Sequence, residues 1–207
     1  EQNLFSEKKK RKNNLEDYFI LNGNVLELKF NETVFDKNIF IPKNFKIIIK
    51  PNQTIRLIDN AFIFSESNWY IVGNQDQPIL ISGYKDNLGG GIFISSKNKN
   101  ILKNVKLKYL KGIEINSSDN IINNLNEYRI YGALNFYKTK VEISDLYTSS
   151  VYSEDSLNII KSEFDIRDSF FTNISSDAID FDFSNGLIEN LSFDNISDDA
   201  LDFSGSK

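Results

Sequence analysis

The sequence predicts an all-β chain wound as a parallel β-helix, with coils of about 22 residues. Three observations predict it. First, Ile92, Ile113, Leu134, Leu157, Ile179 and Leu201 follow one another at steps of 21, 21, 23, 22 and 22 residues. Each has a second apolar residue two positions on: Ile94, Ile115, Phe136, Ile159, Phe181 and Phe203. Second, acidic residues keep the same step. The stretch "SDAIDFDFS" from Ser176 returns as "SDDALDFSGS" from Ser197, so that Asp155, Asp177 and Asp199 are each 22 apart. Third, the apolar residues alternate with polar ones over three to five positions and nowhere hold a helical period over three turns. A unit of this length holds three short strands and three turns. It cannot bury its own apolar side, but stacked units share one core.

The elements follow in order. Residues 1–17 are expected to be a loose polar leader carrying the basic run "EKKKRKNN". Residues 18–90 read as an N-terminal cap and irregular first coils, with short alternations at 25–28, 45–49, 54–57, 61–64, 70–72 and 79–81. Residues 91–207 read as regular coils, with strands at "GIFI" (91–94), "VKL" (105–107), "GIEI" (112–115), "ALNF" (133–136), "VEI" (141–143) and "FDI" (164–166). Asn, Asp, Ser and Gly fill the turns between them. Asn173 and Asn195 fall at equivalent points, as do Phe171 and Phe193, which predicts an asparagine ladder and an aromatic stack along the axis.

Composition narrows the chemistry. The chain has 207 residues and a net charge of −5, which argues against nucleic acid as a partner. It contains no cysteine and no histidine, so thiolate and imidazole catalysis and zinc sites built on them are excluded. No apolar run reaches the ~20 residues of a membrane span. The chain has no methionine and stops just after a strand pattern, so it is expected to be a processed or trimmed product that continues beyond Lys207.

The acidic recurrence has three readings. In an alternating strand Ile179, Phe181 and Phe183 point inward and Asp180 and Asp182 outward. Coil stacking about 4.8 Å apart then sets Asp180 over Asp202, with Asn158 below. Asp155, Asp177 and Asp199 form a column at the preceding turn, beside Glu154 and Asp198. Like charges so placed repel by roughly 1 kcal/mol in water and more near a low-dielectric surface. Turn aspartates that cap backbone N–H groups answer for part of this. A Ca²⁺ ion on Asp155, Asp180, Asp182 and Asp202 is the second answer. Catalysis by Asp177, Asp198 and Asp199 is the third, because crowded carboxylates push their pKa values apart. Lys138 and Lys161 lie 23 residues apart and, with Tyr137, are candidates for holding an acidic substrate. Arg129 and Arg167 are further basic candidates. Tyr109, Tyr128, Tyr131, Tyr147 and Tyr152 are further candidates for a sugar-stacking surface.

The segments "IPKNFKIIIKPNQTI", "GALNFY", "SEDSLNIIKSEF", "SDAIDFDFSNG" and "SDDALDFSGS" resemble the right-handed parallel β-helix domains of secreted bacterial proteins, some of which accompany CotH-kinase-like domains. The resemblance spans about residues 38–207 and implies a fold and an exported bacterial setting, secreted or on the cell surface, without a reaction. A shorter stretch is similar to polygalacturonase-type glycoside hydrolases, where an Asn-Thr-Asp-Gly-x-Asp motif precedes an Asp-Asp-Cys motif by one coil. Asp177, Asp198 and Asp199 fall on the aspartates of those motifs. Ser175, Ser176, Ala178 and Ala200 depart from them. That similarity implies inverting hydrolysis.

The reading is therefore a single right-handed parallel β-helix that engages an extracellular or cell-surface polysaccharide, with Ca²⁺ on an aspartate ladder. A glycoside hydrolase or lyase and a purely structural solenoid stand as the alternatives.

Overall fold

The computed structural model describes residues 15–113, 130 and 132–207. One helical turn, α1 (Leu15–Tyr18), opens these residues. The first strands are β1 (Phe19–Asn22), β2 (Val25–Leu28), β3 (Glu32–Phe35), β4 (Ile39–Ile41), β5 (Lys46–Ile49) and β6 (Thr54–Leu57). Next come β7 (Phe62–Ser65), β8 (Asn68–Val72), β9 (Ile79–Ser82), β10 (Gly91–Ile94), β11 (Lys99–Lys108) and β12 (Gly132–Tyr137). The last are β13 (Lys140–Val151), β14 (Asp155–Ile160), β15 (Glu163–Ile174), β16 (Asp177–Asp182), β17 (Asn185–Ile196) and β18 (Leu201–Ser204).

These strands wind into a β-solenoid of about 7 turns, as the period predicts. β4, β7, β10, β12, β14, β16 and β18 stack in parallel as a 7-stranded sheet. The other 11 strands form a second sheet with two faces. In the early coils these faces are separate strands: β2, β5 and β8 on one, β3, β6 and β9 on the other. In β11 they fuse, since residues 101–103 pair with β8 and residues 105–108 with β9. The bend between the two halves is Asn104, at φ 50°.

Three columns of left-handed corners mark the later coils. Asn104 is followed at the same corner by Asp145, Asp168 and Asn190, at φ 54°, 49° and 54°. The second corner stacks Tyr109, Ser150, Asn173 and Asn195 at φ 52–55°. The third stacks Lys138, Lys161, Phe183 and Gly205 at φ 49–66°. Asn and Asp adopt this backbone cheaply and Gly adopts it freely; a bulky residue such as Phe183 is there against its preference. That is why Phe183 does not point inward as simple alternation predicts. The corner turns its side chain out, and it is 62% exposed. The predicted asparagine ladder is present, with Asn195 Nδ2 donating to Asn173 Oδ1 at 2.7 Å. Phe171 and Phe193 stack with ring centroids 5.4 Å apart.

The core lies inside the three faces. Its main column is Ile39, Ile63, Ile92, Leu134, Leu157, Ile179 and Leu201, each in register with the next. This corrects one rung. Ile92 pairs directly with Leu134, so the equal steps of 21 through Ile113 do not mark a coil. Ile113 is not in a strand. It packs with Phe62, Phe64, Phe93 and Ile130 in a separate apolar cluster on the outer side of the 7-stranded sheet. Spacing alone cannot tell an inward rung from an apolar residue that covers the outside. Ile115, Tyr128, Arg129 and Tyr131 lie outside the described residues.

The N-terminal end is closed locally. β1 pairs antiparallel with β2, and Tyr18 stacks on Phe35 at 4.6 Å. Leu15, in the stretch expected to be a loose leader, packs against the core. Coils are stacked tightly enough that a single methyl matters. At Gly91 a Cβ would lie 2.3 Å from the carbonyl oxygen of Ala133. Gly91→Ala is therefore expected to cost about 1–3 kcal/mol in urea unfolding. Wild-type stability in that variant would contradict the β10–β12 register.

Candidate acidic site on the short sheet

The 7-stranded sheet presents a charged outer face at its last coils. On β14 the inward residues are Leu157 and Ile159, both fully buried. Ser156 and Asn158 therefore face outward, and so do Asp180 on β16 and Asp202 on β18. The register Asn158–Asp180–Asp202 is the ladder expected from the spacing.

At the start of these strands lies the acidic corner. Asp155 pairs with Asp177 in register. Asp199 continues the column: its N–H donates to Asp177 Oδ1 at 2.9 Å, and its carbonyl accepts from the Ala178 N–H at 2.9 Å. Asp177 thus caps a backbone donor, which is one of the expected turn roles. Carboxylate oxygens of Asp177, Asp198 and Asp199 lie within 4.8 Å of one another, with Asp198 and Asp199 exposed. Among the described residues this is the one carboxylate trio so closely grouped, and it coincides with the three residues singled out for catalysis. The set expected to hold a metal (Asp155, Asp180, Asp182 and Asp202) forms no such trio; it is spread along the face.

Asp155 is buried, with 3% exposure, rather than exposed at a turn. Its Oδ2 accepts from Asn158 Nδ2 at 2.7 Å. Burial, and next the charge of Asp180, push its carboxyl up to about 7; the Asn158 hydrogen bond opposes this. Asp180 is also pushed to about 7, by burial first and then by the charges of Asp182 and Asp202. Asp177 is raised as well, by burial and by Asp198 and Asp199, against the pull of the Asp199 N–H. Among the described residues no lysine or arginine forms an ion pair with any of these aspartates.

The basic candidates sit at the other end of the same strands. Lys138 and Lys161 occupy equivalent left-handed corners and donate their backbone N–H groups to Ile160 and Asp182. Together with Lys97, Lys140, Thr139, Ser162 and Phe183 they line an open groove of about 400 Å³. Six residues of strand separate Asp155 from Lys161, roughly 20 Å. Beneath the groove runs a hydroxyl ladder: Thr139 N–H bonds Ser162 Oγ, Ser162 N–H bonds Ser184 Oγ, and Ser184 N–H bonds Ser206 Oγ, at 2.8–3.1 Å.

Tyr137 stacks on Phe93 at 6.1 Å with the Lys138 ammonium 5.0 Å from its ring centre. Two of the other described tyrosines lie elsewhere. Tyr147 packs on Phe170 in the 11-stranded sheet, and Tyr152 is an exposed residue between β13 and β14. Arg167 is committed elsewhere, paired with Asp165 at 2.6 Å and Glu189 at 3.2 Å. The period marked the aspartates and set Asn158 in their ladder, but nothing in it marked the burial of Asn158, or Ser156 and the hydroxyl ladder, because serine and asparagine in a turn-rich chain carry no signal of burial.

Compared with known protein families, curated proteins and solved structures, the chain finds no match.

Proposed function

We propose that this solenoid is an exported binding module that grips an extracellular or cell-surface acidic polysaccharide, using a Ca²⁺ ion at Asp177, Asp198 and Asp199 and the lysine groove at Lys138 and Lys161. The observation that carries this reading is the trio of carboxylate oxygens within 4.8 Å. Three such charges repel unless a cation joins them, and Ca²⁺ favours carboxylate and carbonyl oxygens in flexible, high-number coordination. An ion held on an exposed corner keeps coordination positions for the carboxylates of a sugar chain. The lysines, about 20 Å along the strand direction, offer a second point of attachment for a polyanion. Inverting hydrolysis spaces its two carboxyl groups about 6.5–9.5 Å apart to admit water. The oxygens of the trio lie closer than that, which favours a cation over an inverting pair.

Affinity electrophoresis in gels containing polygalacturonate, alginate or a neutral glucan tests the reading. Retardation by an acidic polymer in Ca²⁺, weakened at least tenfold by EDTA and by Asp199→Asn, is the expected result. Equal mobility in every gel would reduce the protein to a structural solenoid. Shortened sugar products, seen by mass spectrometry, would instead make it an enzyme: added water would mark a hydrolase and an unsaturated end a lyase.

A further inference from the structure

Five buried side-chain atoms among the described residues have no hydrogen-bond partner: Trp69 Nε1, Thr148 Oγ1, Ser156 Oγ, Asn158 Oδ1 and Asp180 Oδ1. The last three lie together. Ser156 and Asn158 are both fully buried and sit two positions apart on β14, so they share one face. Asp180 is the register neighbour of Asn158 on β16, one coil spacing away at about 4.8 Å. Asn158 Oδ1 and Asp180 Oδ1 are acceptors and the Ser156 hydroxyl offers lone pairs beside its O–H; a buried polar atom left unpaired costs roughly 1–3 kcal/mol. Three of them on one patch call for a common partner.

The preceding coil shows what the patch lacks. Asn135 holds the same ladder position on β12. Its Oδ1 accepts from the Gly132 N–H at 2.9 Å, and its Nδ2 donates to the carbonyls of Gly132 at 2.7 Å and Ile92 at 3.3 Å. That asparagine is satisfied from within. One coil later Asp155 replaces Gly132 in register. Its carboxylate takes the Asn158 Nδ2, which fixes the amide with its oxygen as the free end. Another coil on, the ladder position itself becomes Asp180. The patch thus swaps a closed amide for free acceptor oxygens and adds negative charge at each step.

We propose that Ser156, Asn158 and Asp180, with Asp155, form an inner cation site on the outer face of the short sheet, taking a divalent ion of the Ca²⁺ class. A cation satisfies several acceptor oxygens at once, whereas a hydrogen-bond donor satisfies one or two. The acidic surroundings favour it. Glu154, Asp177, Asp182 and Asp202 act electrostatically on Asp155 or Asp180, and among the described residues no lysine or arginine is paired with those two carboxylates. The side-chain oxygens suit a hard ion. This site is separate from the trio at Asp177, Asp198 and Asp199 and does not depend on polysaccharide binding.

The test counts ions. The full chain is stripped with EGTA, titrated with Ca²⁺ by calorimetry, and its bound metal measured by mass spectrometry after dialysis. Two ions per chain are expected. Asp180→Asn keeps the side-chain shape and should remove one of them; Asp199→Asn should remove the other. Asn158→Leu provides a second probe of the inner site. The far-ultraviolet spectrum of each variant reports that the solenoid is intact. One ion in the wild type, kept in Asp180→Asn and lost in Asp199→Asn, would overturn the inner site and leave the corner reading standing. One ion with the opposite pattern would keep the inner site and remove the corner one. No bound ion overturns both.

Discussion

Phe181→Ala is expected to lower the free energy of unfolding by about 3–5 kcal/mol, the largest single-residue effect in the C-terminal coils. Phe181 is fully buried. Its ring lies 4.4 Å from that of Phe164 and 4.9 Å from that of Phe203, so it ties the short sheet both to the opposite face and to the next coil. It follows Ile159 in the second inward column. Coils on either side are held by their own ladder hydrogen bonds, so they cannot close over the gap, and the cavity term stays large. The residue also sits between Asp180 and Asp182. Its loss should weaken Ca²⁺ binding as well as stability, because the strand carrying those carboxylates loses its anchor. Urea unfolding checks the first effect. A cost under about 1 kcal/mol would mean that the last coils do not pack on this ring.

The second large effect is with pH, in protein held in EGTA. Asp155 and Asp180 titrate near 7 in the folded chain, well above the ordinary carboxylate value of 3.8 that the unfolded chain shows. The folded protein therefore keeps protons that the unfolded chain has released between those two values. Stability should rise as pH is lowered from 8 to 5, and fall as pH rises through about 7. The size is on the order of 1–2 kcal/mol per group, once screening at the partly exposed Asp180 is allowed for. The raised carboxyl of Asp177 acts in the same direction. Asp165, lowered by Arg167, acts oppositely, but only at more acidic pH, where its salt bridge is lost. Asp180→Asn should flatten the slope, and saturating Ca²⁺ should oppose it by holding the carboxylates ionised. Melting temperatures across this range decide the matter. A stability that climbs from pH 5 to 8 without calcium would refute the burial of these two charges.

Much of the architecture was legible before folding. The steps of 22 and 23 residues linking Leu134, Leu157, Ile179 and Leu201 are the register steps of the sheet itself. The Asn173–Asn195 and Phe171–Phe193 stacks follow from the same count. A period works this way because parallel coils in register place residue i against residue i plus one coil, so sequence distance becomes contact. The same reasoning failed where the coil length changed. From Tyr70 to Ile101 the step is 31 residues, and from Lys99 to Lys140 it is 41. There a repeat count is no guide, and Ile113 was read as a rung although it packs outside the sheet.

Amino-acid order alone encodes the stacking of parallel coils, the inward column of Leu134, Leu157, Ile179 and Leu201, and the recurrence of Asp155, Asp177 and Asp199 at one corner. What those aspartates experience is set by their folded surroundings. Asp155 is buried, Asp177 caps a backbone N–H, and Asp199 stands exposed beside Asp198, although all three share one position in the repeat. The physical reason is that the repeat specifies the backbone path, whereas solvation depends on what covers each coil, and neighbouring coils carry different residues. The free oxygen of Asn158 arises from one such difference, the Gly132 to Asp155 change between adjacent coils, and that of Asp180 from another, the Asn158 to Asp180 change one coil on. No local pattern in a single coil encodes it.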